Sequence, residues 1–463
     1  MSQTAAGLYE IFLKLVKETP NEVAIQFGGE LFTYQDLQNR ILSIETSIVE
    51  RLDQQNHSTR DQIYICYWGD NHPIALVLPL VCSKLGLTYV PISPLYPKER
   101  VSEVVASLNG VLLSQTDFEI RKPKGNPIPS HDRQKYLLGF YTSGTTGLPK
   151  LALIPEEQVM VNTEASIRVQ ILGRGDQILA GLSLCHSGGL GIQALPGLLS
   201  GARINLKSNL TPEALADASD SSNVVLLVPS LLQKLKLSRH GQNIRWQRFR
   251  LVGIGSASFT ASLVEPILDA GSQVLNIYGL TEAGPVLFTE ILTKGEAPSI
   301  GHPTTKTEWK IDENTSELLV RGKIAQAVYQ SDHVIDHVHD NEGWFNTRDR
   351  VESRDNKLYF LGRTNATFNI GGMKVHAEKI EAAIENLPGV TGCLLIGRKH
   401  AVFGEILVAQ VELSDLGISK RQLIRLLRGR HPEFSRYEIP REIEFVERLA
   451  RTTIGKKMRG TRA

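Results

Sequence analysis

The chain has 463 residues, about three times a typical ~150-residue domain, which implies one large multilayered domain plus a smaller one. Its 41% hydrophobic and 22% charged residues exclude a largely disordered chain. The balance of 51 Lys+Arg against 49 Asp+Glu, a formal charge of +2, excludes capture of a polyanion by bulk charge, so any charged ligand must be held locally.

Leu8, Ile11, Phe12, Leu15 and Val16 recur at helical spacing and predict an opening helix. Short strands follow at Glu22–Phe27 and Leu31–Thr33 around Gly28 and Gly29, and Thr33 with Asp36 forms a capping signal for the next helix. Further buried strands are expected at Ile63–Trp68, Tyr89–Ile92, Tyr136–Thr142, Gln177–Ser183, Ala202–Leu206, Asn223–Pro229, Phe249–Gly255 and Gln273–Gly279. Their alternation with helix-length segments predicts doubly wound, parallel α/β layers.

The last hundred residues read as a compact α+β unit. It comprises helix His376–Leu387, strands Thr391–Arg398 and Glu405–Leu413, helix Ser419–Arg430 and strand Arg441–Val446. A boundary near Leu361–Asn369 divides the chain into 1–362 and 363–463. Cys66, Cys82, Cys185 and Cys393 are scattered without a CxxC pair, so they are expected to be structural thiols in a reducing compartment. The N-terminus lacks a secretory pattern, and no apolar run nears the ~20 residues of a membrane span. A cytoplasmic location is expected.

The segment YTSGTTGLPK (Tyr141–Lys150) follows an apolar strand with hydroxyls at Thr142, Ser143, Thr145 and Thr146, glycines at Gly144 and Gly147, and a lysine. Backbone N–H groups, hydroxyls and Lys150 can together cradle phosphate oxygens. It is not a Walker A loop, because Pro149 precedes the lysine and Leu151 follows it.

Segment for segment, the chain resembles the adenylate-forming superfamily of acyl- and aryl-CoA synthetases, luciferases and peptide-synthetase adenylation domains. The phosphate loop matches, and so, in order, do Tyr89–Arg100 (YVPISPLYPKER), Tyr278–Gly284 (YGLTEAG), Glu342–Asp349 (EGWFNTRD), Leu361–Val375 (LGRTNATFNIGGMKV) and Arg451–Lys457 (RTTIGKK). The resemblance implies a large N-terminal domain of doubly wound sheets and a small mobile C-terminal lid. It also implies ATP and Mg²⁺ as requirements and a thiol acceptor, CoA or the phosphopantetheine of a separate carrier protein.

Within that resemblance Tyr278 offers an aromatic face to adenine, Thr281 a hydroxyl to the α-phosphate, and Glu282 a hard oxygen to Mg²⁺. Taken alone, the same segment reads better as a strand running into a helix cap, with Glu282 a solvated first-turn acid. Asp349 suits ribose hydroxyls, Arg363 suits ribose or phosphate, and Gly255, Ser256, Ala257 and Gly279 complete the nucleotide wall. Lys456 would deliver a charge between carboxylate and α-phosphate, and Gly371, Gly372 and Lys374 would line the thiol channel. Two positions depart from the family pattern, Arg348 where glycine usually precedes the aspartate and Asn365 at the hinge.

The acid would lie against Leu182–Gly197, with Cys185, His186, Gly188, Gly189 and Leu190 on one wall, Gly253–Ser258 on the other, and Leu280 and Gly284 also in the pocket. That stretch contains no carboxylate, which disfavours an α-amino acid because its ammonium would be buried unpaired. Here the chain looks like acyl- or aryl-CoA ligases, whereas Tyr89–Arg100 looks like peptide-synthetase domains. Three functions follow: a ligase making an aryl- or medium-acyl-CoA, an enzyme loading a carrier protein, and a non-catalytic nucleotide- or acyl-adenylate-binding protein. The carrier would be a separate chain, since no carrier domain follows Lys456. His333, His337 and His339 with interleaved carboxylates compose a possible metal cluster, read here as a polar connecting loop.

Overall fold

The computed structural model describes residues 7–54, 62–119, 136–142, 150–331, 334–364, 367–370, 373–400, 404–414, 418–432, 434–435, 437–451 and 457. Among them the strands form two large sheets of nine and seven members and smaller sheets of four, three and two. The opening helix spans Leu8–Glu18 and buries Leu8, Phe12, Leu15 and Val16, the stripe seen in the sequence. The turn between Val23–Phe27 and Glu30–Thr33 has Gly28 and Gly29 at positive φ, and Thr33 and Asp36 exchange capping bonds.

The nine-stranded sheet is parallel at its centre. Val224–Leu227, Leu251–Gly255 and Gln273–Tyr278 lie side by side, so their C-terminal ends open onto one edge of the sheet. Ligands of open α/β sheets gather at such edges. The margins are antiparallel, which the expected all-parallel layers did not include: Phe288–Ile291 pairs with Gln273–Tyr278, and Glu30–Thr33 with Val23–Phe27. In the seven-stranded sheet Lys150–Pro155 likewise folds back along Tyr136–Thr142. The phosphate loop is thus the connection of an antiparallel hairpin, whose two ends, Thr142 and Lys150, are register partners.

Residues from Phe368 to Ile443 bury a core of their own, including Ile380, Ile384, Leu387, Val411 and Leu427. Its three-stranded sheet joins Val390–His400, Gly404–Leu413 and Glu442–Val446, under helices Ala377–Glu385 and Lys420–Arg430. Ser419 and Gln422 form a capping box for the second helix. The histidine-rich segment is not a plain loop, because Val334–His337 is an exposed edge strand. His339 Nε2 lies 2.6 Å from the Ala325 carbonyl oxygen, and His333 lies outside the described residues. Among the described residues no group of three metal-ligating side chains occurs, and no helix is long and apolar enough to cross a membrane. Cys66, Cys82 and Cys393 are buried and outside any disulfide among the described residues, and burial pushes the Cys66 thiol up to about 12.

Candidate active site

Strand Gln273–Tyr278 ends in a tight turn rather than a helix, which removes the helix-cap reading of Thr281 and Glu282. Leu280 donates to the Gly284 carbonyl, and Gly284 has φ +80. A Cβ on Gly279 would lie 2.4 Å from that carbonyl oxygen, so both glycines are required by the turn. Thr281 faces the acid segment: its Oγ1 lies 2.8 Å from Ser187 Oγ. This pair borders a partly open pocket of about 30 Å³ whose apolar lining includes Leu138, Phe140, Leu190 and Leu195.

Tyr278 donates its hydroxyl to Asp349 Oδ2 at 2.7 Å, and Arg363 Nε bonds Oδ1 at 2.6 Å. Asp349 also accepts its place from local backbone geometry, its N–H donating to Thr347 Oγ1. Burial and the negative charge of Asp349 hold the Tyr278 phenol far above its ordinary value, so it remains a donor. Four lone-pair directions on the carboxylate leave acceptor capacity for ribose hydroxyls beyond these two bonds. Arg348 adopts φ +58, the conformation for which glycine is suited, and its side chain is exposed.

Glu282 accepts a short bond on Oε1 from Tyr329, a residue the sequence pattern did not single out. Lys150 sits with its ammonium 5.3 Å from the Tyr329 ring centroid. Ser143, Gly144, Thr145, Thr146 and Gly147 lie outside the described residues, as do Asn365, Gly371, Gly372 and Lys456. Lys374 is on strand Met373–His376, which pairs with Thr367–Ile370. A carboxylate beside the hairpin expected to bind phosphate suits Mg²⁺, which is ordinarily held by one or two carboxylates together with substrate phosphates and water.

The two expected acid-pocket walls meet at Ile192. A Cβ on Gly188 would lie 3.7 Å from Ile192 Cδ1, and one on Gly255 4.0 Å from the same atom. Gly253 faces Ile277, Leu226 and the Gln193 amide. Ser256 has φ +76, and Ala257 follows it out of the strand end. Gly189 serves the turn instead, since a Cβ there would lie 2.1 Å from the Ser183 carbonyl oxygen, and Leu190 is buried in the main core. Cys185 Sγ lies 3.1 Å from Ser183 Oγ. Burial lowers His186 to about 4, so its ring is neutral near pH 7.

The AMP-binding enzyme family matches residues 110–335, and its C-terminal domain matches residues 379–456. The chain belongs to the adenylate-forming superfamily, and is an enzyme of its AMP-forming acid–thiol ligase class. Indoleacetate–CoA ligase of Aromatoleum aromaticum is 26% identical, with 94% of each chain covered. Feruloyl-CoA synthase of an Amycolatopsis species is 25% identical, with 98% of each chain covered. In fold, the o-succinylbenzoate CoA synthetase of Bacillus subtilis, solved with its acyl-adenylate intermediate, superimposes with a TM-score of 0.81 at 17% identity over 98% of this chain and 97% of that one.

Proposed function

We propose that this enzyme activates an aryl or medium acyl carboxylate as acyl-AMP and transfers the acyl group to the thiol of CoA. The observation that carries the reading is the Ser187–Thr281 contact at 2.8 Å, which joins the acid-pocket segment to the nucleotide turn. A carboxylate and an α-phosphate bound on either side of that contact are neighbours, as condensation requires.

A bound carboxylate is a poor electrophile until its oxygen carries AMP. Thr281 offers the α-phosphate a hydroxyl, Asp349 and Arg363 hold the ribose side, and the hairpin ending at Thr142 and Lys150 receives the departing pyrophosphate. Glu282 would hold Mg²⁺, which when bound would supply charge neutralisation for the phosphates. Neutral His186 orients the acid by hydrogen bonding and adds no charge to a segment, Leu182–Gly197, that contains no carboxylate. An acid without an ammonium group fits that composition, and the relatives named for indoleacetate and ferulate support an aryl or medium acyl group.

The small unit, with its own core from Phe368 onward, acts as the lid, with its boundary near residue 363. Lys456 acts in adenylation; lid rotation then withdraws it and admits the thiol beside Gly371, Gly372 and Lys374. The test is pyrophosphate release across aryl, medium acyl and amino acids, followed by product analysis with CoA or phosphopantetheinylated carrier protein. Release with aryl or medium acyl acids and a CoA thioester product is expected. Release with no acid sinks the activity, and a product formed only on the carrier moves the acceptor from CoA to protein.

A further inference from the structure

We propose that Tyr329 is a positioning residue that ties the metal-holding carboxylate Glu282 to the Lys150 end of the hairpin expected to bind phosphate. The inference rests on the reading of Glu282 as the Mg²⁺ ligand and goes beyond it. Tyr329 lies on strand Val328–Ser331, which pairs antiparallel with Lys150–Pro155, and its register partner is Ala152. That register sets the tyrosine two residues from Lys150 along the neighbouring strand and beside the hairpin mouth.

Two contacts converge on this one side chain. The hydroxyl donates to Glu282 Oε1, while Lys150 lies 5.3 Å from the ring centroid. Thr142 and Lys150 are the two ends of the hairpin, and Glu282 comes from the distant turn after strand Gln273–Tyr278. A phenol is protonated at neutral pH, so the hydroxyl is a hydrogen-bond donor there. The physical consequence is rotamer selection. A glutamate has three side-chain torsions, and a fixed phenolic donor on Oε1 confines them while leaving other lone pairs for a cation. Partners of ligating carboxylates act in this way on metal affinity.

Tyr329→Phe keeps the ring beneath Lys150 and removes only the hydroxyl. Two readouts are needed: the Mg²⁺ dependence of acid-dependent pyrophosphate release, and calorimetric binding of a non-hydrolysable ATP analogue with Mg²⁺ or with chelator. The expected result is a rise of about tenfold or more in the half-saturating Mg²⁺ concentration. Acid KM and analogue binding in chelator should be unchanged, as should the thermal melt to within a few degrees. Wild-type Mg²⁺ dependence in Tyr329→Phe, or an equal loss at every Mg²⁺ concentration, overturns the proposal. Glu282→Gln, measured in parallel, separates the two layers. If Glu282→Gln shifts the Mg²⁺ dependence and Tyr329→Phe does not, only the positioning role fails. If Glu282→Gln leaves it unshifted, the metal assignment falls and the positioning role falls with it.

Discussion

Asp349 and Arg363 are direct cross-strand partners, and their side chains close the pairing with an Nε–Oδ1 bond of 2.6 Å. The aspartate side chain is 6% exposed and the arginine 34%, so the ion pair is screened on one side only. Arg363 thereby fixes the orientation in which Asp349 presents its remaining lone pairs to a ribose. Asp349→Asn is expected to raise the ATP KM by about tenfold to a hundredfold through loss of charge-assisted acceptance. It should also cost about 2 kcal/mol of stability, less than a fully buried pair, because Arg363 keeps partial hydration. Steady-state kinetics and denaturant titration check the two effects separately.

Arg348 precedes that aspartate with φ +58, and its backbone N–H donates to Asn346 Oδ1 at 2.7 Å. A non-glycine residue in the left-handed region costs roughly 1 kcal/mol. Arg348→Gly relieves that cost in the folded state but frees the unfolded chain, so a net gain of about 0.5 kcal/mol is expected. Activity should change by less than about twofold, since the exposed side chain touches no proposed ligand-binding group. A thermal melt that drops on this substitution would show that the arginine side chain contributes a contact worth more than the backbone strain.

The departure at Arg348 was visible in the sequence; its backbone reason was not, because φ is a property of the turn. Buried parallel strands such as Leu251–Gly255 were legible as apolar runs, and the opening helix as a 3.6-residue stripe. Strand Lys150–Pro155 was not, since its first residue belongs equally to the polar loop before it. The antiparallel strands between Phe288 and Arg354 carry mixed polar and apolar residues that blur a period of two. Nucleotide-side residues could be named from local motifs, whereas Tyr329 could not. Its partner Glu282 is 47 positions away, and only tertiary packing brings them together.

His72 and His186 give the protein a defined acid limit. Burial lowers both imidazoles to about 4 from the ordinary 6.5, and Arg40 adds to the effect at His72. Between these values the unfolded chain binds protons that the folded chain does not. Stability is therefore present above about pH 6.5 and is lost as pH falls toward about 4. Each site contributes on the order of 2–3 kcal/mol to that loss. His72→Gln should flatten the pH dependence of the denaturation midpoint in this window, and an unchanged slope would exclude the buried imidazole as a source. His72 accepts from the Ile74 N–H at the start of helix Pro73–Leu85, a bond the glutamine oxygen is able to replace.

Two adjacent lysines near the chain end are expected to fail in different ways. Lys457 Nζ lies 3.1 Å from Glu381 Oε2, 3.0 Å from Glu385 Oε1 and 2.6 Å from the Cys393 carbonyl oxygen. Glu381 is almost fully buried and also accepts from the Leu395 N–H, so the lysine neutralises a carboxylate committed to the core of the small unit. Lys457→Ala leaves two carboxylates without their cation and should destabilise the small unit by about 3 kcal/mol. Lys456→Ala should leave stability unchanged, abolish acid-dependent pyrophosphate release and preserve thiolation of supplied acyl-adenylate, since only the first half-reaction gathers charge between carboxylate and α-phosphate. Equal loss of both half-reactions in Lys456→Ala, with a normal melt, would contradict its assignment to adenylation. A normal melt in Lys457→Ala would show instead that Glu381 and Glu385 accommodate each other without the lysine.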